Sequence, residues 1–226
     1  MEHAFNRRLD RNRRQFLVAE QKCYVDANTD PRVIAAQTWL NVAYGAFGTL
    51  YFEWAAPLGG AEQGYGSLLY PDGSFRPETR PVFEALSAGI RKIYPHIAES
   101  ETRSRIAAVY SYENSWGTPG WVVDGFYDEE FFNLYGGFQN RLRANVDVAS
   151  LDDDLSRYKL LLLANCRILS PAQARKLTAF VEEGGTLVLN FACATRDEFN
   201  RTLPLRQPGL LADLAGAVAA ESISAQ

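Results

Sequence analysis

The stretch from Lys159 to Phe191 restricts the fold more than any other part of the chain. Lys159 to Ala164 is a short apolar run with the length and composition of a buried strand. Ser170-Pro171-Ala172-Gln173 then reads as a capping box with proline at the first helical position, and Gly184-Gly185 stops the helix it opens. Between them Ala174, Leu177, Phe180 and Val181 recur on one helical face, and a second apolar run, Thr186 to Phe191, follows. A strand, a capped helix and a strand joined this tightly form a right-handed crossover, so the two strands lie parallel in one sheet. Two more strands are expected upstream, at Ile106–Ser111 and Asn145–Ala149, with a long loop and a helix including Phe131–Leu142 between them. With a last helix near Pro208–Ala215, these elements predict an open α/β domain of about four parallel strands in flavodoxin-like order.

The same alternation opens the chain. The basic segment up to Arg14, with Phe5 and Leu9, reads as the end of a helix with a solvated face, and a strand is expected at Phe16–Glu20. Asp30-Pro31 supplies an N-cap and a first-turn proline for a helix to about Tyr44. Val33, Ala36, Leu40 and Ala43 would be its buried stripe, with Gly45 and Gly48 ending it before a strand at Thr49–Trp54. A long loop to Pro77 and a helix through Ile93 complete a second βα unit. Two parallel strands can neither close a barrel nor cover both their faces, so this half is incomplete as an independent fold.

Composition excludes several classes of function. A chain of 226 residues that is 47% hydrophobic can bury a real core, and a net charge of -4 with a pI near 5.3 lacks the basic field that nucleic acid or an anionic membrane surface requires. There is no apolar run of about 18 residues to span a bilayer and no apolar signal core at the start, so a cytoplasmic protein is expected. Cys23, Cys166 and Cys193 are widely spaced, and only His3 and His96 could join them, so no metal site is expected and the thiols should be reduced. Neither GxGxxG nor a P-loop is present, which argues against nucleotide binding.

Catalytic groups in parallel α/β folds stand where strands end, and Glu20 closes the first apolar run. It is either an active-site carboxylate or a salt-bridged rim residue. Phe52, Trp54, Glu62 and Tyr65 fall on or just after the next strand, so the two strand ends would converge. Aromatic faces that stack on a sugar ring, with carboxylates that accept from its hydroxyls, suit a neutral polyol; the alternative for Phe52 and Trp54 is ordinary core. Cys166 also follows a strand, but it lacks the small flanking residues of a nucleophile elbow and any downstream histidine, which favours a structural thiol.

These residues carry a resemblance. Phe16-Leu17-Val18-Ala19-Glu20-Gln21, Tyr51-Phe52-Glu53-Trp54, Gly60-Ala61-Glu62 and Gly64 to Leu69 resemble family 42 glycoside hydrolases, the β-galactosidases. Val109 to Trp116 and Tyr158 to Asn190 are similar to that family's trimerisation domain, so the likeness spans most of the chain. It implies that residues 1–100 are the last two βα units of a (β/α)8 barrel and residues 101–226 an amidotransferase-like trimerisation domain. It further implies Glu20 as the nucleophile of a retaining mechanism, Phe52, Trp54, Glu62 and Tyr65 on the substrate, a homotrimer, a carbohydrate substrate and no cofactor. Trp116 and Trp121 would lie at a subunit interface or face sugar.

Retention also needs a second carboxylic acid about 5.5 Å from the first. The family takes it from an Asn-Glu pair, and none occurs in this sequence. The family's arginine after the strand tryptophan is Ala55, its histidine three residues past the loop glutamate is Tyr65, and the loop after Glu20 reads Lys22-Cys23-Tyr24-Val25-Asp26. The second expectation is therefore a non-catalytic oligomerisation or carbohydrate-binding module.

Overall fold

The computed structural model describes residues 2–9, 16–22, 30–63, 66–118, 127–190 and 192–220. It divides into two compact units, Met1–Thr102 and Arg103–Gln226. Both are α/β with parallel strands, as the alternation of elements predicts.

In the first unit α1 (Glu2–Leu9) precedes β1 (Phe16–Lys22), α2 (Pro31–Ala43), β2 (Ala46–Phe52) and α3 (Thr79–Ile97). Strands β1 and β2 pair in parallel, with α2 as the crossover. The Asp30 side chain caps α2 by accepting from the Arg32 amide at 2.9 Å, and Pro31 fills its first turn. Held by the Arg32 guanidinium, the Asp30 carboxyl is lowered to about 2.

The buried face of α2 differs from the expected one. Pro31, Ile34, Thr38 and Asn41 are buried, while Val33, Ala36, Leu40 and Ala43 are all exposed. The reason is a polar seam on the strands. Gln21 donates to the Ile34 carbonyl at 3.1 Å and accepts from Asn41 at 2.7 Å. Thr38 meets the Tyr51 hydroxyl at 2.7 Å, and Asn41 also donates to Thr49 at 3.2 Å. Polar side chains with mutual partners can be buried, and here they take the places an apolar stripe would fill. Gly48, expected to end the helix, lies inside β2, where a Cβ would stand 3.0 Å from Leu17.

Among the described residues of this unit, Ile34 and Leu68 form a buried apolar cluster with Tyr51 and Phe83 packed against it. Leu17, Phe47 and Leu50 on the two strands remain 40%, 50% and 54% exposed.

The second unit runs β3 (Ile106–Val109), α4 (Tyr112–Gly117), α5 (Tyr127–Gly136), a π-turn at Gly137–Arg141, β4 (Val146–Ala149), β5 (Leu160–Leu163), α6 (Pro171–Glu182) and β6 (Thr186–Leu189). A short 3-10 turn, Gly209–Leu211, leads into α7 (Ala212–Ala215). The parallel sheet has the order β4-β3-β5-β6, the flavodoxin-like arrangement, in unbroken register from Ile106↔Leu160 to Leu160↔Thr186. Leu161, Leu162 and Leu163 are wholly buried, and one continuous core joins Ala107, Val109, Tyr127, Leu163, Leu177 and Leu211.

Helix α6 forms as expected. Ser170 Oγ accepts from the Gln173 amide at 3.2 Å, the Gln173 side chain accepts from the Ser170 amide at 3.0 Å, and Gly184 takes φ +91° after the last turn. Ala174, Leu177 and Phe180 are buried, and Val181 packs half-buried on the same core. Helix α4 lies in the stretch expected to be a loop. It forms because Ser111 accepts from the Asn114 amide at 3.1 Å and Glu113 stands in the first turn. No described helix is long and apolar enough to cross a membrane.

Candidate functional site

Glu20 lies in β1 at an irregularity of the ladder. Val18 pairs with Thr49 but Gln21 pairs with Tyr51, so β1 carries one residue more than β2 across this step. Such a bulge reverses the side-chain alternation. Phe16, whose ring lies 5.5 Å from that of His3 on α1, and Gln21, bonded to α2, are both buried. Ala19 and Glu20 are both exposed.

Phe52 is opposite Lys22 at the carboxyl end of β2, next to the end of β1, and is half-buried. The Phe52–Glu53 peptide is cis. Trp54 follows, 61% exposed, with its ring edge-on to Phe75 at 5.8 Å. The backbone here is pinned, since the Glu53 carbonyl accepts from Leu68 N at 3.1 Å and the Trp54 carbonyl from Leu69 N at 2.9 Å. Glu62 occupies an exposed turn after Gly60. Tyr65 lies outside the described residues. The strand pairing therefore brings Glu20, Phe52 and Trp54 to one pair of strand ends, and Glu62 follows on the connecting loop.

The carboxyl edge of the second sheet is closed by side chains. Asn114 is wholly buried and donates to Ser111 Oγ at 2.9 Å, to the Ile168 carbonyl at 2.9 Å and to Cys166 Sγ at 3.3 Å, while accepting from the Ile168 amide at 2.8 Å. Burial pushes the Cys166 thiol well above the ordinary range and Cys193 up to about 11, so both are packed structural thiols rather than nucleophiles. Burial likewise pushes up the Tyr127 hydroxyl, which accepts from the Ser111 amide at 2.7 Å. Trp116, beside Tyr112 on α4, is 77% exposed, and Trp121 is outside the described residues. No described group of His, Cys, Asp or Glu is arranged to hold a metal ion.

The family model of the β-galactosidase trimerisation domain matches residues 104–225, more than half of the chain. The chain belongs to this family. Among curated relatives, a β-galactosidase of Alicyclobacillus acidocaldarius is 29% identical over 188 residues, covering 81% of this chain and 27% of that protein. A β-galactosidase of Haloferax lucentense is also 29% identical and is likewise covered to 27%. Solved β-galactosidases share the fold: that of Bacillus circulans superposes with a TM-score of 0.84 at 23% identity over 96% of this chain and 34% of its own. The Halorubrum lacusprofundi enzyme gives 0.79 at 25% identity, covering 98% of this chain and 34% of that one. This member of the trimerisation-domain family thus spans about a third or less of the relatives it matches.

Gln21, Thr38, Asn41 and Asn114 were not singled out from the sequence. Gln21 directly follows Glu20, and Asn114 follows the capping residue Ser111 by three, but neither spacing separates a buried amide from a solvated one.

Proposed function

We propose that this chain is the C-terminal portion of a retaining β-galactosidase-type glycoside hydrolase acting on terminal β-galactosides or related glycosides. In this reading residues 1–100 are the last two βα units of a (β/α)8 barrel. The parallel β1–β2 pair supports it, as do Leu17, Phe47 and Leu50, which are exposed on its strands. Glu20 is the nucleophile, attacking the anomeric carbon to give a glycosyl-enzyme that water hydrolyses. Phe52 and Trp54 stack on the sugar, while Glu62 and Tyr65 contact its hydroxyls. The general acid would come from beyond these residues, since the sequence offers no Asn-Glu pair. Residues 104–225 assemble a homotrimer, as their family description suggests. The buried, unpaired thiols Cys166 and Cys193 suit the reducing cytoplasm.

The observation that carries the proposal is Glu20 itself, exposed at the register slip of β1, next to the stretch that pairs with Tyr51 and Phe52. The test is incubation with a fluorinated mechanism-based galactoside, read by intact mass. Slow formation of one covalent adduct that Glu20→Gln abolishes is expected. No adduct under conditions that label a full-length relative would leave the second reading, a non-catalytic oligomerisation or carbohydrate-binding module, which the missing Asn-Glu pair favours.

A further inference from the structure

Trp54 has a ring neighbour on the loop that follows it. Its indole meets the ring of Phe75 edge-on, at 5.8 Å and 87°, and both side chains are open to solvent, Phe75 at 43%. One segment holds the two residues. Leu69 N donates to the Trp54 carbonyl at 2.9 Å, and Leu69 also bridges Phe75 in antiparallel fashion. Phe75 is fixed from both sides. The turn before it is closed by the bond from Tyr70 N to the Ser74 carbonyl at 2.8 Å and by the Asp72 carboxylate, which accepts from Ser74 N at 2.9 Å. After it, Arg76 donates to the Ser67 carbonyl at 3.1 Å and lies over the Tyr70 ring. Arg80 of α3 stands over Phe75 itself, 5.7 Å from the ring centre.

Rings this exposed add little to a buried core, so the consequence of their contact is orientation. An exposed tryptophan turns about two side-chain torsions, and a ligand that needs one orientation must freeze them on binding. An edge-to-face neighbour on a pinned backbone selects that orientation beforehand. The returning limb of the Tyr70–Ser74 turn supplies such a neighbour to Trp54. We propose that Phe75 is a positioning residue of the glycoside site, holding the Trp54 indole at the angle at which a sugar ring stacks on it. The proposal rests on the glycoside reading above, in which Trp54 contacts the sugar, and adds to it a residue that acts through Trp54 alone.

The test uses the full chain labelled with 5-fluorotryptophan, in which the Trp54 fluorine signal is assigned by its loss in Trp54→Ala. D-galactose is titrated against the wild type, Trp54→Ala, Phe75→Leu and Phe75→Tyr, with thermal melts alongside. Phe75→Leu should melt as the wild type does, move the Trp54 signal while leaving those of the other tryptophans in place, and weaken galactose by about two- to tenfold, the scale of one side chain immobilised on binding. Phe75→Tyr keeps the ring and should restore both the signal and the affinity. Affinity lost in Trp54→Ala but unchanged in Phe75→Leu would overturn the positioning role and leave the glycoside reading standing. A Trp54 signal that Phe75→Leu does not move would overturn it as well. If galactose binds neither the wild type nor any variant, the glycoside reading falls and the positioning role with it. Should Phe75→Leu melt far below the wild type, Phe75→Met replaces it; if that variant also fails to fold, the ring serves the fold rather than Trp54 and the proposal is overturned.

Discussion

Asn114 offers the sharpest test of how the second unit is held together. Its side chain satisfies both the amide and the carbonyl of Ile168, at 2.8 and 2.9 Å, inside a wholly buried site. Asn114→Ala leaves the Ile168 amide without this partner and its carbonyl with only the weak Cys166 thiol at 3.6 Å, at about 1–3 kcal/mol each. A loss of about 4 kcal/mol is expected, read as a lower urea midpoint with an unchanged slope. Asn114→Asp separates the two bonds. The carboxylate keeps the bond from the Ile168 amide but faces the Ile168 carbonyl, so burial and that carbonyl raise its folded pKa above the unfolded value of about 3.9. Below the unfolded value the acid form donates to Ile168 as the amide does, and the variant comes nearest to wild type. As pH rises through the raised folded value that stability is lost, the gap to wild type widening by up to about 1.4 kcal/mol per pH unit. Urea titrations of both proteins across mildly acidic to neutral pH measure the gap. A pH-independent gap, or an Asn114→Ala loss under about 1 kcal/mol, would refute the argument.

Three further outcomes follow from the described contacts. Gln21→Leu removes its bonds to Ile34 and Asn41, which keep Thr38 and Thr49 as partners, and should weaken the docking of α2 by about 1–2 kcal/mol, seen as faster hydrogen exchange of α2 amides with β3–β6 unaffected. Cys166 and Cys193 should resist iodoacetamide in the native chain at mildly alkaline pH and react on unfolding, as peptide mapping would reveal. Burial raises the Tyr158 hydroxyl to about 12, so its contribution to stability is complete below the unfolded value near 10 and is lost as pH rises through about 12. An ultraviolet titration in which Tyr158→Phe removes no late-ionising group would contradict this.

The order of strands and helices was legible because each element carries its own signal. Ser170, Gln173 and Gly184 mark the ends of α6, and Ala174, Leu177 and Phe180 its buried face. The orientation of α2 was not legible. Its outer face carries Val33 and Leu40 and its inner face Thr38 and Asn41, so hydrophobicity alone points it the wrong way; only the partners on Gln21, Thr49 and Tyr51 correct it. That a strand carries Glu20 could be read, but not that the strand runs on to Lys22, nor the register slip between Val18 and Gln21 around it. Register belongs to the pairing of two strands, and neither strand encodes it alone. A lone acidic residue between two aromatics likewise gives no sign that one oxygen of Glu53 is shielded with no donor among the described residues.

The unequal cores of the two units bear on the order in which the chain acquires structure during synthesis. The unit whose described apolar cluster is built on Ile34 and Leu68 precedes, along the chain, the unit with the leucine-rich sheet. At roughly 5–20 residues per second, translating Arg103–Gln226 takes on the order of ten seconds, far longer than hydrophobic collapse. Through that interval Leu17, Phe47 and Leu50 stand on a pair of strands whose outer edges have no partner among the described residues, the kind of surface that invites association unless it is covered. The chain's yield in a cell then depends on how long that surface waits as well as on the stability of the finished fold.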